Sequence, residues 1–591
     1  MKKSAAKKAY AADDSLPHWN LAKIYPGITS PELLADKEKI SRLAGEFKAA
    51  YEGRVELLSG AKLGRAIEEY EQIQRLCHSI GSYLFLLESD DQSNFAKTAL
   101  FKKWDADVDE AVAFFIREIG SMKEADLMTK LVVPYLARYA PWIARQRERS
   151  APSLLEENNR AADDAETRRL YLEAMADINP DHDRQQSAAV LRQKSAAVAA
   201  IYNRLIENVA TNAALEKHDR PDQGAHRDNG LSPEIVDTMF ETVKGSLVRL
   251  SHRFHDRMAA RQGVAVLKSA DLHEAAGDEG REYSWDETRR LVLRSFRKFS
   301  RKFGRIAQKI FDADRIDAPP RDGKYTGAFS MPMGPGQLPF ILLNFTGGVD
   351  DAVTAGHELG HGVHQVLAEK AQGMFLSNVP DIVSETSSIF AEMLIFEELY
   401  RSEKDPDVRC KLLENRVKHM LDNALQQASY YDFERRVHAE RKNGALDAER
   451  ISDIWVETQK EYYGPSIELD AHDRYFWMMV THFFETPFYV YSYSFAQIAV
   501  AALFQEYKKA KADGPAAALD FANNYTELLE TGMSRNIRDM FEPFGLDPSK
   551  PECWENGLSL IEKYLDDLAA CDAAKPVLKT VPKAKPPAPG F

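Results

Sequence analysis

Val353-Thr-Ala-Gly-His357-Glu358-Leu359-Gly360-His361-Gly-Val-His364-Gln365 is the stretch from which the rest of the chain can be read. It contains the H-E-x-x-H spacing in His357-Glu358-Leu359-Gly360-His361. Residues four apart stand one above the other on a helix, so both imidazoles can meet a single cation from one face. Glu358 follows the first of them and can stand beside the ion without binding it. A carboxylate placed there can take a proton from water that the ion activates, which is the chemistry of zinc-dependent hydrolases.

Two histidines leave a catalytic zinc one protein ligand short. A third His at the metzincin spacing would fall on Leu367, so that class is excluded. A downstream carboxylate is required instead. The segment Asp381-Ile-Val-Ser-Glu385-Thr-Ser-Ser388-Ile-Phe-Ala-Glu392 reads as a second helix. Glu385, Ser388 and Glu392 share one face of it through i, i+3 and i+7 spacing. Spacing alone leaves the ligand role open among Glu385, Glu392 and Asp381. His364 lies one turn beyond His361, but a fourth protein ligand would close the site, so it reads as a packing residue or one that bonds a ligand. Gly356 and Gly360 each cost about 1 kcal/mol relative to Ala inside a helix. Their pairing suggests the close approach of another element, such as a small sheet or substrate.

A chain of 591 residues exceeds one ordinary core, so two or more lobes are expected. Its 44% hydrophobic and 28% charged residues are those of a soluble globular protein. The formal net charge of −14 disfavours a nucleic-acid partner and mildly favours neutral or cationic ligands. Cys77, Cys410, Cys553 and Cys571 form no C-x-x-C pair and read as ordinary reduced thiols. Met1 to Asp14 has lysines without an apolar run after them, so no secretory signal is visible. The densest apolar run, Ile498 to Phe504, is far shorter than the ~18 residues a membrane span needs. A cytoplasmic protein with no nucleic-acid or membrane partner is expected, and its oligomeric state is not given.

Residues 1–16 and the Lys/Pro-rich end, 575–591, read as disordered tails. From Pro31 to about Ile178 the pattern is helical, with Leu63, Ile67, Tyr70, Ile73, Leu76 and Ile80 recurring at steps of three and four. Trp19 and Tyr25 are expected to pack on these first helices. Asn179-Pro-Asp-His-Asp183 marks a break, and helices resume from Gln185. The basic run Arg294 to Lys309 places Phe296, Phe299, Phe303 and Ile310 on one side, which predicts an amphipathic helix with a solvated cationic face. Lys324 to Ser330 and Pro339 to Phe345 read as strands of a small sheet whose exposed edge could pair with an extended peptide. Asp350 or Asp351 is placed to cap the helix that follows. The expected division is a helical lobe over 17–200 and a catalytic domain over 201–574.

The pairing of His357-Glu-Leu-Gly-His361 with Glu385-Thr-Ser-Ser-Ile-Phe-Ala-Glu392 resembles the oligopeptidases typified by thimet oligopeptidase. Phe340-Ile-Leu-Leu-Asn-Phe-Thr-Gly-Gly-Val-Asp-Asp351, Trp19-Asn-Leu, His482-Phe-Phe and Phe488-Tyr-Val-Tyr-Ser-Tyr493 are similar to the oligoendopeptidase F branch. The resemblance runs from about Trp19 to Leu568. It implies a mainly α, two-lobed metallopeptidase with a deep substrate channel and a small β-sheet beside the H-E-x-x-H helix. It also implies one Zn2+ per chain on His357, His361 and Glu385, with Glu358 as general base. His482 and Tyr491 would stabilise the oxyanion of the tetrahedral intermediate, with Tyr489 and Tyr493 as alternates for the phenol. The implied substrates are short unstructured oligopeptides cut at internal bonds. Peptidyl-dipeptidase or carboxypeptidase activity on the same fold, an inactive peptide-binding relative, and a helical scaffold with a fortuitous motif are the alternatives.

Overall fold

Ser30 and Ser59 each accept a backbone N–H from the third residue beyond, Leu33 and Lys62, and so start the first two long helices. These are α1 (Pro31–Tyr51) and α2 (Gly60–Asp90), followed by α3 (Phe95–Ser121). The computed structural model describes residues 16–149, 154–176, 178, 184–272 and 281–574. Residues 1–15, the break at 179–183 and the expected tail over 575–591 lie outside the described residues. Leu63, Ile67, Ile73 and Ile80 are buried along one face of α2, as their periodicity predicts. With Phe47, Phe114 and Phe115 they form a first apolar core, which takes in Trp142 and, from much later in the chain, Leu376.

A larger core gathers buried residues between Tyr171 and Leu568. It is built by α4 (Arg184–Leu215) and by a succession of helices after residue 349. These are α5 (Val349–Ser377), α6 (Asp381–Ser402), α7 (Pro406–Leu421), α8 (Gln427–Arg441), α9 (Tyr491–Asp513) and α10 (Pro551–Ala574). The fold is mainly α. Phe296, Phe299, Phe303 and Ile310 are all buried, while Arg294 and Lys298 both pair with Glu398 of α6. The basic run is not one helix but the end of one, Trp285–Phe299, and the start of another, Arg301–Phe311, broken at the extended Ser300; both bury their apolar side, and part of the charge is neutralised within the chain.

Ahead of α5 sits a three-stranded sheet, β1 (Ile316–Asp317), β2 (Phe329–Met331) and β3 (Phe340–Leu342), in the order β1-β3-β2. β1 runs parallel to β3 and β2 antiparallel to it, which leaves β2 at an edge. The strands are shorter than the sequence suggests: Lys324 is in a turn, where its buried ammonium bonds three backbone carbonyls. Tyr25 packs on Tyr83 of α2 as expected. Trp19 packs on α2 as well, against Leu86, and joins its end to the sheet, donating to Asp90 at 2.8 Å with its ring 6.1 Å from that of Phe340.

Asp351 fixes the start of α5: its carboxylate accepts from the Gly348 N–H at 3.1 Å and the Thr346 N–H at 2.7 Å. The two helix glycines exist for α6, not for the sheet. A Cβ on Gly356 would lie 2.7 Å from Ile395 Cγ1, and one on Gly360 would lie 2.8 Å from the Ser387 carbonyl oxygen. Glycine at both positions lets α5 and α6 approach closely enough for their polar side chains to meet.

One expectation about the cysteines is corrected. Cys410 of α7 and Cys571 of α10 form a disulfide across Cα atoms 6.0 Å apart, leaving Cys77 and Cys553 as thiols. The pair is 161 residues apart in sequence, so no local spacing could have announced it. Among the described residues, no helix is long and apolar enough to cross a membrane.

Candidate metal centre and its surroundings

On α5 the H-E-x-x-H spacing stacks the rings of His357 and His361 with centroids 4.8 Å apart. Glu385 faces them from the second turn of α6. Its Oε2 lies 3.5 Å from His357 Nε2 and 3.6 Å from His361 Nε2. The three ligand atoms all fall within 4.8 Å of one another. Two imidazole nitrogens and one carboxylate oxygen converging in this way are a donor set that suits a divalent cation of the zinc type. The Ser388 hydroxyl donates to the same Glu385 oxygen at 2.7 Å and steadies it.

The three carboxylates that spacing left open occupy three different positions. Only Glu385 meets both imidazoles. Glu392, two turns further along α6, accepts behind them: its Oε1 is 2.7 Å from His357 Nδ1. Asp381, at the N-terminus of α6, accepts from the Tyr489 hydroxyl at 2.8 Å. His361 Nδ1 is met by the Ser384 hydroxyl at 3.2 Å. Each imidazole thus has Nδ1 engaged and Nε2 turned towards Glu385. Burial pushes His361 down to about 4, so it is neutral, whereas His357, which burial would also lower, is raised to about 9 by the bond to Glu392 and the nearby Glu358 and Glu385.

Glu358 is only 5% exposed, and among the described residues its Oε2 has no hydrogen-bond partner. Burial pushes its carboxyl up to about 7. A buried carboxylate without a partner is costly unless something charged or reactive is brought to it. It lines a cavity of about 400 Å³ together with His357, Glu392 and Arg416. Further along α5, past His361, lies a cavity of about 380 Å³, walled by Gln74 and His78 of α2, by Trp142 of the first core and by His364 and Gln365 of α5. His364 is buried there and is pushed down to about 3 chiefly by burial.

The late His/Tyr segment divides in a way the sequence did not give. His482 Nε2 is 3.1 Å from the Tyr493 hydroxyl, and the rings of His482, Tyr489 and Tyr493 lie within 6 Å of each other by centroid (5.1, 5.7 and 5.4 Å). The phenols of Tyr489 and Tyr493 are both raised, first by burial and then by carboxylates that include Asp381 and Glu385. Tyr491, the phenol expected to stabilise the oxyanion, points elsewhere. It is 0% exposed, accepts from Asn229 Nδ2 at 2.9 Å and donates to the Ala225 carbonyl at 3.3 Å. A phenol fully committed inside the core cannot meet a peptide carbonyl in an open cleft. Residues 489, 491 and 493 straddle the start of α9, so 491 turns to the inner face while its neighbours face the cleft.

Sequence reasoning missed Arg416, whose Nη1 donates to Glu392 Oε2 at 2.8 Å from a site 6% exposed. It sits on α7, and nothing in its local sequence marks it. A second cluster, Asp470, His472 and Asp473, also has the spacing for a cation. There Arg184 already supplies the positive charge, bonding Asp470 at 3.0 Å and Asp473 at 2.7 Å.

Comparison with known proteins bears on this geometry. The description of peptidase family M3 matches residues 301–560, which include α5, α6 and the late His/Tyr segment. Oligopeptidase PepF of Bacillus subtilis (strain 168) is 25% identical over 361 residues, 60% of this chain and 52% of that protein. The chromosomal oligoendopeptidase F of Lactococcus lactis subsp. cremoris is 23% identical over 358 residues, 60% of this chain and 58% of that protein. The chain thus spans a little over half the length of the curated relatives it matches. The solved oligoendopeptidase-F of Enterococcus faecium shares the fold with a TM-score of 0.65 at 19% identity, covering 92% of this chain and 99% of that one. Residues 301–560 thus match the description of peptidase family M3, and the two curated relatives compared are named an oligopeptidase and an oligoendopeptidase F.

Proposed function

We propose that the protein is a zinc metalloendopeptidase that hydrolyses internal bonds of short, unstructured oligopeptides. The observation that carries this reading is the convergence of His357, His361 and Glu385 beside a buried carboxyl, Glu358, whose Oε2 has no hydrogen-bond partner among the described residues. A zinc ion on those three side chains would act as a Lewis acid, polarising the scissile carbonyl and lowering the pKa of water towards ~7. Glu358 takes the proton of the attacking water and returns it to the leaving amine. Its elevated pKa suits both halves of that exchange near neutral pH. His482 and Tyr493 donate hydrogen bonds to the oxygen on which negative charge develops, and Tyr489, held by Asp381, braces them.

One cavity is lined by the first part of α5, up to Glu358, and the other by its later part, from His364, so that room for substrate on both sides of the cut supports an internal bond as the target. The edge strand β2 is half-buried and is bonded to α5 through Ser330 and Gln365, whose amide occupies the Ser330 carbonyl. The rest of that edge offers backbone groups to an extended peptide main chain. The cavity beside His364 is walled by Trp142 and Phe375 of the first core and by Val379 of the larger one, which supports a division into two lobes with the substrate channel between them. Metal analysis of the purified protein, with mass-spectrometric mapping of cuts in a peptide library, tests the reading. One zinc per chain and internal cuts with an upper length limit are expected. Cuts confined to a fixed distance from the C-terminus would replace it with a peptidyl-dipeptidase or carboxypeptidase, and no cuts at all with a peptide-binding protein.

A further inference from the structure

The turn that brings His482, Tyr489 and Tyr493 together passes through one strained residue. Phe488 has φ 60°, in the left-handed region that a bulky L side chain avoids. Its N–H donates to Glu434 Oε1 at 2.7 Å. Glu434 comes from α8, is 0% exposed, and among the described residues its Oε2 has no hydrogen-bond partner. Burial holds its carboxyl well above the usual range. It is none of the metal ligands and none of the proposed donors. The Phe488 ring is held beside it, 4.5 Å from the ring of His438 and 6.2 Å from that of Tyr431.

A carboxyl deep in an aromatic core is unfavourable, and a leucine of similar size would pack there at lower cost. What only an acceptor at 434 provides is a partner for the Phe488 N–H. That hydrogen bond opposes the return of Phe488 to an ordinary backbone conformation, which would swing Tyr489 off its neighbours. We propose that Glu434 is a positioning residue for the site, locking the left-handed turn at Phe488 so that Tyr489 and Tyr493 stand against His482. The proposal rests on the reading of His482 and Tyr493 as the donors that meet the substrate carbonyl.

The test is hydrogen–deuterium exchange over residues 482–493 in the full metal-loaded protein, together with kcat and KM on one peptide. Glu434→Gln keeps a carbonyl acceptor and should preserve both protection and kcat. Glu434→Leu removes it. Exchange over 486–493 should then quicken about tenfold, the scale of one lost hydrogen bond to a buried group, with kcat falling by a similar factor and KM holding. The helix amides over 428–440 should not change. In a Tyr493→Phe background Glu434→Leu should lower kcat little further, because both changes remove the same donor. If the Leu variant does not fold, Glu434→Asp, with its carboxyl drawn back by one methylene, should show the same confined loss in smaller measure. Unchanged exchange over 486–493 in the variants that fold, loss spread along α8, or a Gln variant as impaired as the others would overturn the proposal. The exchange readout requires no turnover, so a wild-type protein that cuts no peptide would count against the proposed function and not against this positioning role.

Discussion

Glu392 Oε1 stands 2.7 Å from His357 Nδ1, on the side of the imidazole away from Glu385. Burial alone would raise this carboxyl, but the His357 bond, with His419 and Arg416 nearby, holds it well below the usual range. An ionised acceptor at Nδ1 holds a proton there and, against burial and with Glu358 and Glu385, raises His357 to about 9, so a cation meeting Nε2 would have to displace the proton on that nitrogen. The relationship turns a helix-borne His into an oriented ligand.

Weakening that bond should therefore weaken metal binding. Glu392→Gln is expected to lower zinc affinity by about 10- to 100-fold, measured by competition with a chromophoric chelator. Arg416→Met should do so as well and should also lower the melting temperature, because it leaves a buried carboxylate without its cation. Metal affinity within twofold of wild type in both variants would rule out the orienting role.

Glu358 and Glu385 should separate cleanly. Glu358→Gln is expected to keep one metal per chain while kcat drops by roughly 10²–10⁴. Glu385→Ala should lose the metal along with the activity. Metal stoichiometry and turnover, measured on the same preparations, check both, and a Glu358→Gln protein that still turns over at near the normal rate excludes it as the base.

The tyrosines give a direct contrast. Tyr493→Phe should reduce kcat by about 10²-fold with little change in KM, since its donor acts mainly as charge develops. Tyr491→Phe should leave kcat near wild type and cost about 1 kcal/mol of stability through the lost bonds to Asn229 and Ala225. The reverse pattern in steady-state kinetics would return the role to Tyr491.

Glu369 predicts a pH effect on stability distinct from catalysis. It is 7% exposed, accepts the Gly334 N–H at 3.0 Å, and burial pushes it up to about 7. The folded state therefore binds the proton more tightly than the unfolded chain does. Its contribution is fully present below about pH 4.5 and is lost as pH rises through about 7. Glu369→Gln keeps an acceptor for Gly334 without the charge. It should match wild type near pH 4.5 and exceed it by on the order of 2 kcal/mol at pH 8. Urea melts at the two pH values, showing no gain at the higher one, would contradict this.

The sequence carried the helical character of the chain, because apolar residues three and four apart can bury together only on a helix, as Leu63, Ile67, Ile73 and Ile80 do. It carried the pairing of His357 with His361 and the place of Glu358 for the same reason: one turn of helix converts spacing into proximity. Even Gly356 and Gly360 announced a close approach, although not which element made it. Other features depend on atoms brought together from distant parts of the chain, and local pattern is silent there. Spacing could not choose among Asp381, Glu385 and Glu392, since all three lie on the same helix and only its angle against α5 decides which one meets the imidazoles. Tyr489, Tyr491 and Tyr493 likewise differ only in which way each faces at the start of a helix. Arg416 behind Glu392, Glu434 under Phe488 and the Cys410–Cys571 bond were each decided by tertiary packing, because each joins segments whose separation in sequence fixes no distance in space.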